Sequence, residues 1–277
     1  MSKVSVKAKQ RYSEKIKAYK GQIESIEKRA KAFELDIKRG IQGENYKRIT
    51  LANNALNLLS NYVLLNELSV SLLGVKNEAY LNEARKYCYK CIIYLEEVVS
   101  GSVDVPFSDY EERLMSIKAV TDKSRYNLLK KLGYSIETVK EGFGENSKWK
   151  WSFVELEGRY AAVAKNLIDL RSFVAKLDPR IEGYSERIAH LNLVKRLLNN
   201  AADRYREKYE LSTHHFDDIK LAIHFLAALR RINILLGETE EMDIIKRKIE
   251  IWKAKMESDM KKAELARKKE KLKQQNL

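Results

Sequence analysis

The sequence predicts an all-α protein, an elongated multi-helix bundle of long antiparallel helices with coiled-coil-like seams. Three observations predict it. Apolar residues between Trp149 and Leu177 fall at Trp149, Phe153, Leu156, Tyr160, Val163, Leu167, Leu170, Val174 and Leu177, alternating four and three without a break. That is the spacing of a helix seam packed on other helices. The same alternation runs through Tyr12, Ile16, Tyr19, Ile23, Ile26, Ala30, Phe33 and Ile37. Finally, the chain of 277 residues contains only two prolines, Pro106 and Pro179, and eleven glycines, too few corners for a strand-rich fold. One seam does not offset the entropy of ordering its own helix, so neighbouring helices must share the burial.

The first helix is expected from about Ser5 to Arg39, with Gly21 off its seam and Gly40 and Gly43 at its end. The second, about Glu44 to Leu73, differs. Leu51, Ala52, Leu56, Leu58, Leu59, Val63, Leu64, Leu65 and Leu68 cover most of its circumference, which marks a central helix enclosed on several sides. Gly74 is its expected stop. The third, about Asn77 to Val99, buries Tyr80, Ala84, Cys88, Cys91, Ile92, Leu95 and Val99. After a linker, Ser108 and Glu111 have the capping-box spacing for a fourth helix through Leu114, Ile117, Val120, Leu128 and Leu132, stopped by Gly133. A short piece at Ser135–Lys140 and a loop at Gly142–Asn146 lead into the Trp149 helix, which Asp178-Pro179 ends. A helix from about Ile181 to Glu210 follows, then one capped by Ser212 or Thr213 and ended by Gly237. The last begins near Glu238 with an acidic first turn, favourable at the positive helix end. Its seam is Met242, Ile245, Ile249, Trp252 and Met256, decaying beyond Met260 to Ala263, Ala266 and Leu272, where fraying is expected. No internal repeat of fixed period is visible.

These elements group into an N-terminal helical segment over residues 1–100, a linker at 101–107, a C-terminal bundle over 108–260 and a basic tail over 261–277. No stretch has the ~20 uncharged apolar residues of a membrane span. The charged N-terminus lacks an apolar signal region, so a cytoplasmic location is the default expectation, although a removed export segment would leave the same pattern. Two cysteines form no disulfide framework and fit a reducing compartment.

Net charge is +14, and its placement is uneven. Residues 1–50 carry +8, residues 246–277 carry +7, and the body between them is −1. The excess lies at the two ends.

No motif supplies chemistry. Cys88-Tyr89-Lys90-Cys91 is the only CxxC, lies mid-helix and lacks the further ligands zinc needs, so both sulfurs read as small core side chains. His190, His214, His215 and His224 have no metal spacing; His214 and His215 read as capping or exposed. Gly142-x-Gly144 followed by Lys148 has the wrong spacing for a phosphate loop and reads as a turn. In Lys148-Trp149-Lys150-Trp151 the indoles point ~200° apart on a helix, so Trp149 belongs to the seam and Trp151 to a neighbouring helix rather than to one stacked ligand. No cofactor, metal or catalytic residue is expected, and an enzyme is the least supported class.

The basic ends carry the functional expectation. Seams with positive flanks suit a structural or adaptor protein that associates with itself or with an acidic protein partner, as part of a filament or larger complex. The expected contact residues are Lys9, Arg11, Lys15, Lys17, Lys28 and Arg29 on the first helix. On the last they are Lys246, Arg247, Lys253, Lys261, Lys262, Arg267, Lys268 and Lys269. The alternatives are nucleic-acid binding, where about seven phosphate contacts give a salt slope near −6, and membrane-surface binding, for which the tail offers little apolar area.

Overall fold

Short polar side chains decide where several helices begin. Ser5 accepts from the amide of Ala8, Asn77 from those of Ala79 and Tyr80, Thr121 from Ser124, and Asp169 from Ser172. Each satisfies amides that a first turn leaves orphaned. The computed structural model describes residues 5–144 and 147–275. Glu145 and Asn146 of the expected loop, and the side chain of Leu272, lie outside the described residues. The helices are α1 (Val6–Lys38), α2 (Glu44–Leu73), α3 (Glu78–Val98), α4 (Glu111–Met115), α5 (Asp122–Phe143), α6 (Lys150–Asn166), α7 (Leu170–Phe173), α8 (Tyr184–Lys208), α9 (Phe216–Leu236) and α10 (Thr239–Gln275). Among the described residues there is no strand, and no helix is long and apolar enough to cross a membrane. The all-α multi-helix bundle is therefore what the chain forms.

The chain divides into two compact units, residues 1–191 and 192–277, with the division inside α8. It does not fall at residues 101–107. That segment is pinned to α6: Asn166 Nδ2 donates to the carbonyls of Ser100 and Ser102 at 2.8 and 3.0 Å, and Lys165 Nζ donates to that of Val103 at 2.9 Å. Val103 is itself buried.

In the first unit α2 is the axis. It packs against α1, α3 and α5, and between its two ends only a narrow strip at Thr50, Asn57, Ser60, Leu64 and Glu67 is exposed, joined by Glu44 and Tyr46 at its start and Val70 and Ser71 in its last turn. Its left-handed stop at Gly74 (φ 65°) closes with amide bonds from Gly74 to Val70 and from Val75 to Ser69, a conformation open to glycine without a Cβ penalty. α1 lays its seam on α2, with Ile23 and Ile26 buried and the rest half-buried. α5 and α6 complete the unit against α3. Cys88 and Cys91 are fully buried on α3; burial pushes the Cys88 thiol up to about 12 and raises that of Cys91 too, so neither is poised to react.

The Trp149–Leu177 helix is corrected. Phe153, Leu156, Tyr160, Val163 and Leu167 are buried as the seam requires, but α6 stops at Asn166 and Val174 is 53 % exposed. The 4–3 spacing continues across a break. Two carbonyls of the last turn bond to side chains: the ring of His190 meets that of Ala164 at 2.9 Å and Arg125 donates to that of Leu167 at 3.3 Å. Asp169 then caps a new start. The fourth helix is also corrected. It is the short α4, a turn through Ser116–Val120, and a separate α5 that runs straight through Gly133 and absorbs the expected piece at Ser135–Lys140.

The second unit is a three-helix arrangement of the α8 residues from Asn192 onward, α9 and α10. α8 and α10 run in the same direction, joined by Lys195–Glu238, Asp203–Lys248 (2.7 Å) and Arg206 over the Trp252 ring (5.2 Å). α9 packs against α10, and its Ile219, Ala222, Ile223, Leu226, Leu229 and Ile232 are all buried. A π-type turn at Tyr209–Thr213 ends α8. The cap of α9 is His215, without a side-chain bond, while Thr213 donates to Asp218 instead. α10 continues as one helix to Gln275, where fraying after Met260 was expected.

Gly133 has a packing reason. A Cβ there would lie 2.8 Å from the Tyr160 hydroxyl, which donates to the Leu129 carbonyl at 2.8 Å. Alanine gains ~1 kcal/mol in helix propensity, but displacing a buried ring costs ~1–3 kcal/mol. Gly133→Ala is therefore expected to destabilise, read as a lower urea midpoint with an unchanged m-value; a raised midpoint would remove the close-packing account.

Candidate interaction surface

All fourteen expected contact residues are exposed. Six lie on α1 in the first unit and eight on α10 in the second. On α10, Lys262 pairs with Asp259 (3.7 Å) and Lys268 with Glu264 (2.8 Å), both within the helix. The six on α1 have no ion-pair partner among the described residues.

The acids of α1 explain why its surface is basic. Glu27 and Glu34 lie seven residues apart, two helical turns, on the side facing α3. Each accepts from a tyrosine at the same interval: Tyr87 donates to Glu27 at 2.8 Å and Tyr94 to Glu34 at 2.5 Å. Asp36 faces Lys47 at 3.5 Å. Three of the five acids of α1 are thus engaged by neighbouring elements, whereas its ten lysines and arginines are all exposed. From Lys7 to Lys20 there are six basic residues and one acid, Glu14. Burial, followed by the bond to the carboxylate, raises the phenols of Tyr87 and Tyr94 well above the ordinary value. The tyrosine row continues toward the start of α1. Tyr62 stacks on Tyr87 at 5.7 Å, and burial plus a bond with Tyr80 lifts Tyr12 to about 12.

Between α1, α2 and α3 this row borders a cleft of about 180 Å³. Leu51, Ala55 and Leu58 form its apolar wall, and Lys31 and Lys90 stand exposed at its edge. Neither this cleft nor the tyrosine–glutamate row was drawn from the sequence. The signal was present as the matched seven-residue intervals Glu27–Glu34 and Tyr80–Tyr87–Tyr94, but which helix faces another is not written in one helix alone.

The other polar concentration is buried at the C-terminal end of α6. Arg125 donates to the carbonyls of Val120, Leu167 and Ile117 at 3.0 to 3.3 Å. Arg187 donates to Asp122 at 2.8 Å and to the carbonyls of Lys176, Glu182 and Ile181. These cations are satisfied by chain ends and turns, where carbonyls lack amide partners, and they tie the loops to α6. Desolvation lowers the Arg125 pKa. Among the described residues no group of three or more His, Cys, Asp or Glu side chains is placed to hold a metal ion. Trp149 packs in place: Arg85 lies 3.8 Å from its ring centroid, and Phe143 meets it edge-on at 6.3 Å. His214 and His215 are exposed at the start of α9.

Two expectations follow. His190 is buried, and desolvation lowers its pKa from 6.5 to about 4. The unfolded ring takes up a proton near pH 6.5 and the folded ring does not, so this contribution is full above that pH and falls toward pH 4, by up to about 3 kcal/mol. His190→Gln, which keeps a donor for Ala164, should remove that part of the acid sensitivity in urea melts at pH 7 and pH 4.5; an unchanged difference would mean the ring is not the group that titrates. Tyr87→Phe with Tyr94→Phe should cost ~1–3 kcal/mol by loss of two bonds to carboxylates, seen as faster hydrogen exchange along α1.

Comparison with curated proteins finds no match, and comparison with solved structures finds none. A family model does match, over residues 8–260, from the first turn of α1 to the end of the α10 seam against its neighbours. On that match the chain belongs to the TP0443 family.

Proposed function

We propose that this protein is a non-enzymatic helical adaptor whose outward α1 face docks an acidic protein. One observation carries the reading. Glu27, Glu34 and Asp36 are held by Tyr87, Tyr94 and Lys47, while Lys9, Arg11, Lys15, Lys17, Lys28 and Arg29 are exposed without an ion-pair partner among the described residues. A helix that only needed solubility would be expected to interleave both signs on its outer face. Here the fold draws much of one sign inward and leaves a concentrated positive field, which steers an acidic partner and favours rapid encounter.

The test uses the full chain and two labelled probes, an acidic helical peptide and a single-stranded oligonucleotide. The peptide is expected to bind at ~50 mM salt. The combined variant Lys9→Glu, Arg11→Glu, Lys15→Glu, Lys17→Glu should weaken it about thirtyfold, from roughly 0.5 kcal/mol at each of four exposed charges, with unchanged circular dichroism. Tighter binding of the oligonucleotide, with a salt slope near −6, would move the assignment to phosphate. Binding of neither probe would remove it.

A further inference from the structure

The cleft between α1, α2 and α3 opens where two seams drop to alanine together. Along α1 the inward residues run Ile26, Ala30, Phe33, and on α2 Ala55 stands between Leu51 and Leu58. Ala30 and Ala55 both line the gap of about 180 Å³. Its two ends are fixed. Glu27 with Tyr87 makes one crossbar between α1 and α3, and Glu34 with Tyr94 makes the other. Seven residues of helix separate the crossbars, about 10 Å along the axis. The gap is therefore a window with α2 as its floor. An apolar cavity of about 150 Å³ admits benzene, so the window has room for an apolar body of ring size.

The open side carries free positive charge. Lys31 lies between Glu27 and Glu34 on α1, and Lys90 between Tyr87 and Tyr94 on α3, so each long side of the window supplies one ammonium group. Lys31 is one helical turn from both glutamates and pairs with neither; the two carboxylates accept from the phenols instead. Lys90 Nζ lies 5.7 Å from the centroid of the Tyr87 ring. Among the described residues neither ammonium has an ion-pair partner. We infer that this window binds a small organic carboxylate, with an apolar body of ring size against Leu51, Ala55 and Leu58 and its carboxylate between Lys31 and Lys90. An apolar floor with a few polar groups at the rim is the usual build of a small-molecule site. An anion suits it better than an amine, because the ammonium groups lack counter-charges while each lining carboxylate already accepts a hydrogen bond. An inorganic anion would leave the floor unused, and a hydrocarbon would leave the ammonium groups unmatched. Lys31 and Lys90 are not among the contact residues of the α1 docking reading, and the inference does not rest on it.

The test titrates the full chain with phenylacetate and, as the matched cation, benzylamine. Binding is read by calorimetry and by the methyl NMR signals of the leucines. Phenylacetate is expected to bind with a Kd of about 1 mM or below and to shift the methyls of Leu51 and Leu58. Benzylamine should bind about tenfold more weakly. Lys31→Gln combined with Lys90→Gln, both at exposed positions, should keep the fold and weaken phenylacetate about tenfold. Ala30→Leu, which fills the window from the α1 side, should abolish binding with unchanged circular dichroism. The charge reversal at Lys9, Arg11, Lys15 and Lys17 should leave phenylacetate binding unchanged, so this result and that of the peptide test are read separately. No binding of phenylacetate at ~10 mM would overturn the inference. So would benzylamine binding as tightly, an affinity indifferent to the paired lysine variant, or binding that leaves the methyls of Leu51 and Leu58 unshifted.

Discussion

The first unit depends on enclosing α2. Leu51, Ala55, Leu58, Leu59 and Leu65 are buried on a helix that exposes only a thin strip, and an apolar cylinder of that kind must be covered from several sides at once. Covering it brings α1 and α3 up in the same direction, and this parallel placement lets glutamates at one heptad interval meet tyrosines at the same interval. The basic outer face of α1 is then a consequence of core packing. Glu27 and Glu34 face α3 because the phenols of Tyr87 and Tyr94 are there, and the amines stay outside because nothing inside neutralises them.

The exposed charges are a readable property of the chain, and the buried ones are not. α1, α2 and α3 have the extents that their seams and caps imply, down to Ser5, Asn77 and Gly74. The candidate contact residues stand exposed for the same reason: strongly hydrated ammonium and guanidinium groups outside an apolar stripe have no cheaper place to go. Where the reading failed, the deciding contact was remote. The break after Asn166 depends on Arg125 and His190. The glycine inside α5 at position 133 is explained by the Tyr160 ring beside it, and the fixing of residues 100–103 depends on Lys165 and Asn166. A heptad count sees apolar spacing, which the break leaves untouched, and does not see a donor that arrives from elsewhere in the chain.

The two units handle buried polarity differently. The first gathers Arg125, Arg187, Lys165 and His190 around the end of α6 and the connections that follow α3, α4, α6 and α7, giving a core whose geometry is set by directional bonds. The second relies on side-chain pairs between neighbouring helices, such as Asp203–Lys248 and Lys208–Asp218, and on Trp252 beneath Arg206 and Lys248. Partly exposed pairs of this sort guide register more than they add stability.

The stop at Asn166 makes helix length here a property of the folded ensemble rather than of the local peptide. A fragment spanning Trp149 to Leu177, cut free of α5 and α8, would have no guanidinium or imidazole to compete for its carbonyls. Whatever helix it forms in a helix-promoting solvent should read through the break as a single rod. The bend that opens the way to α7 therefore rests on bonds from distant parts of the chain as well as on the local cap at Asp169.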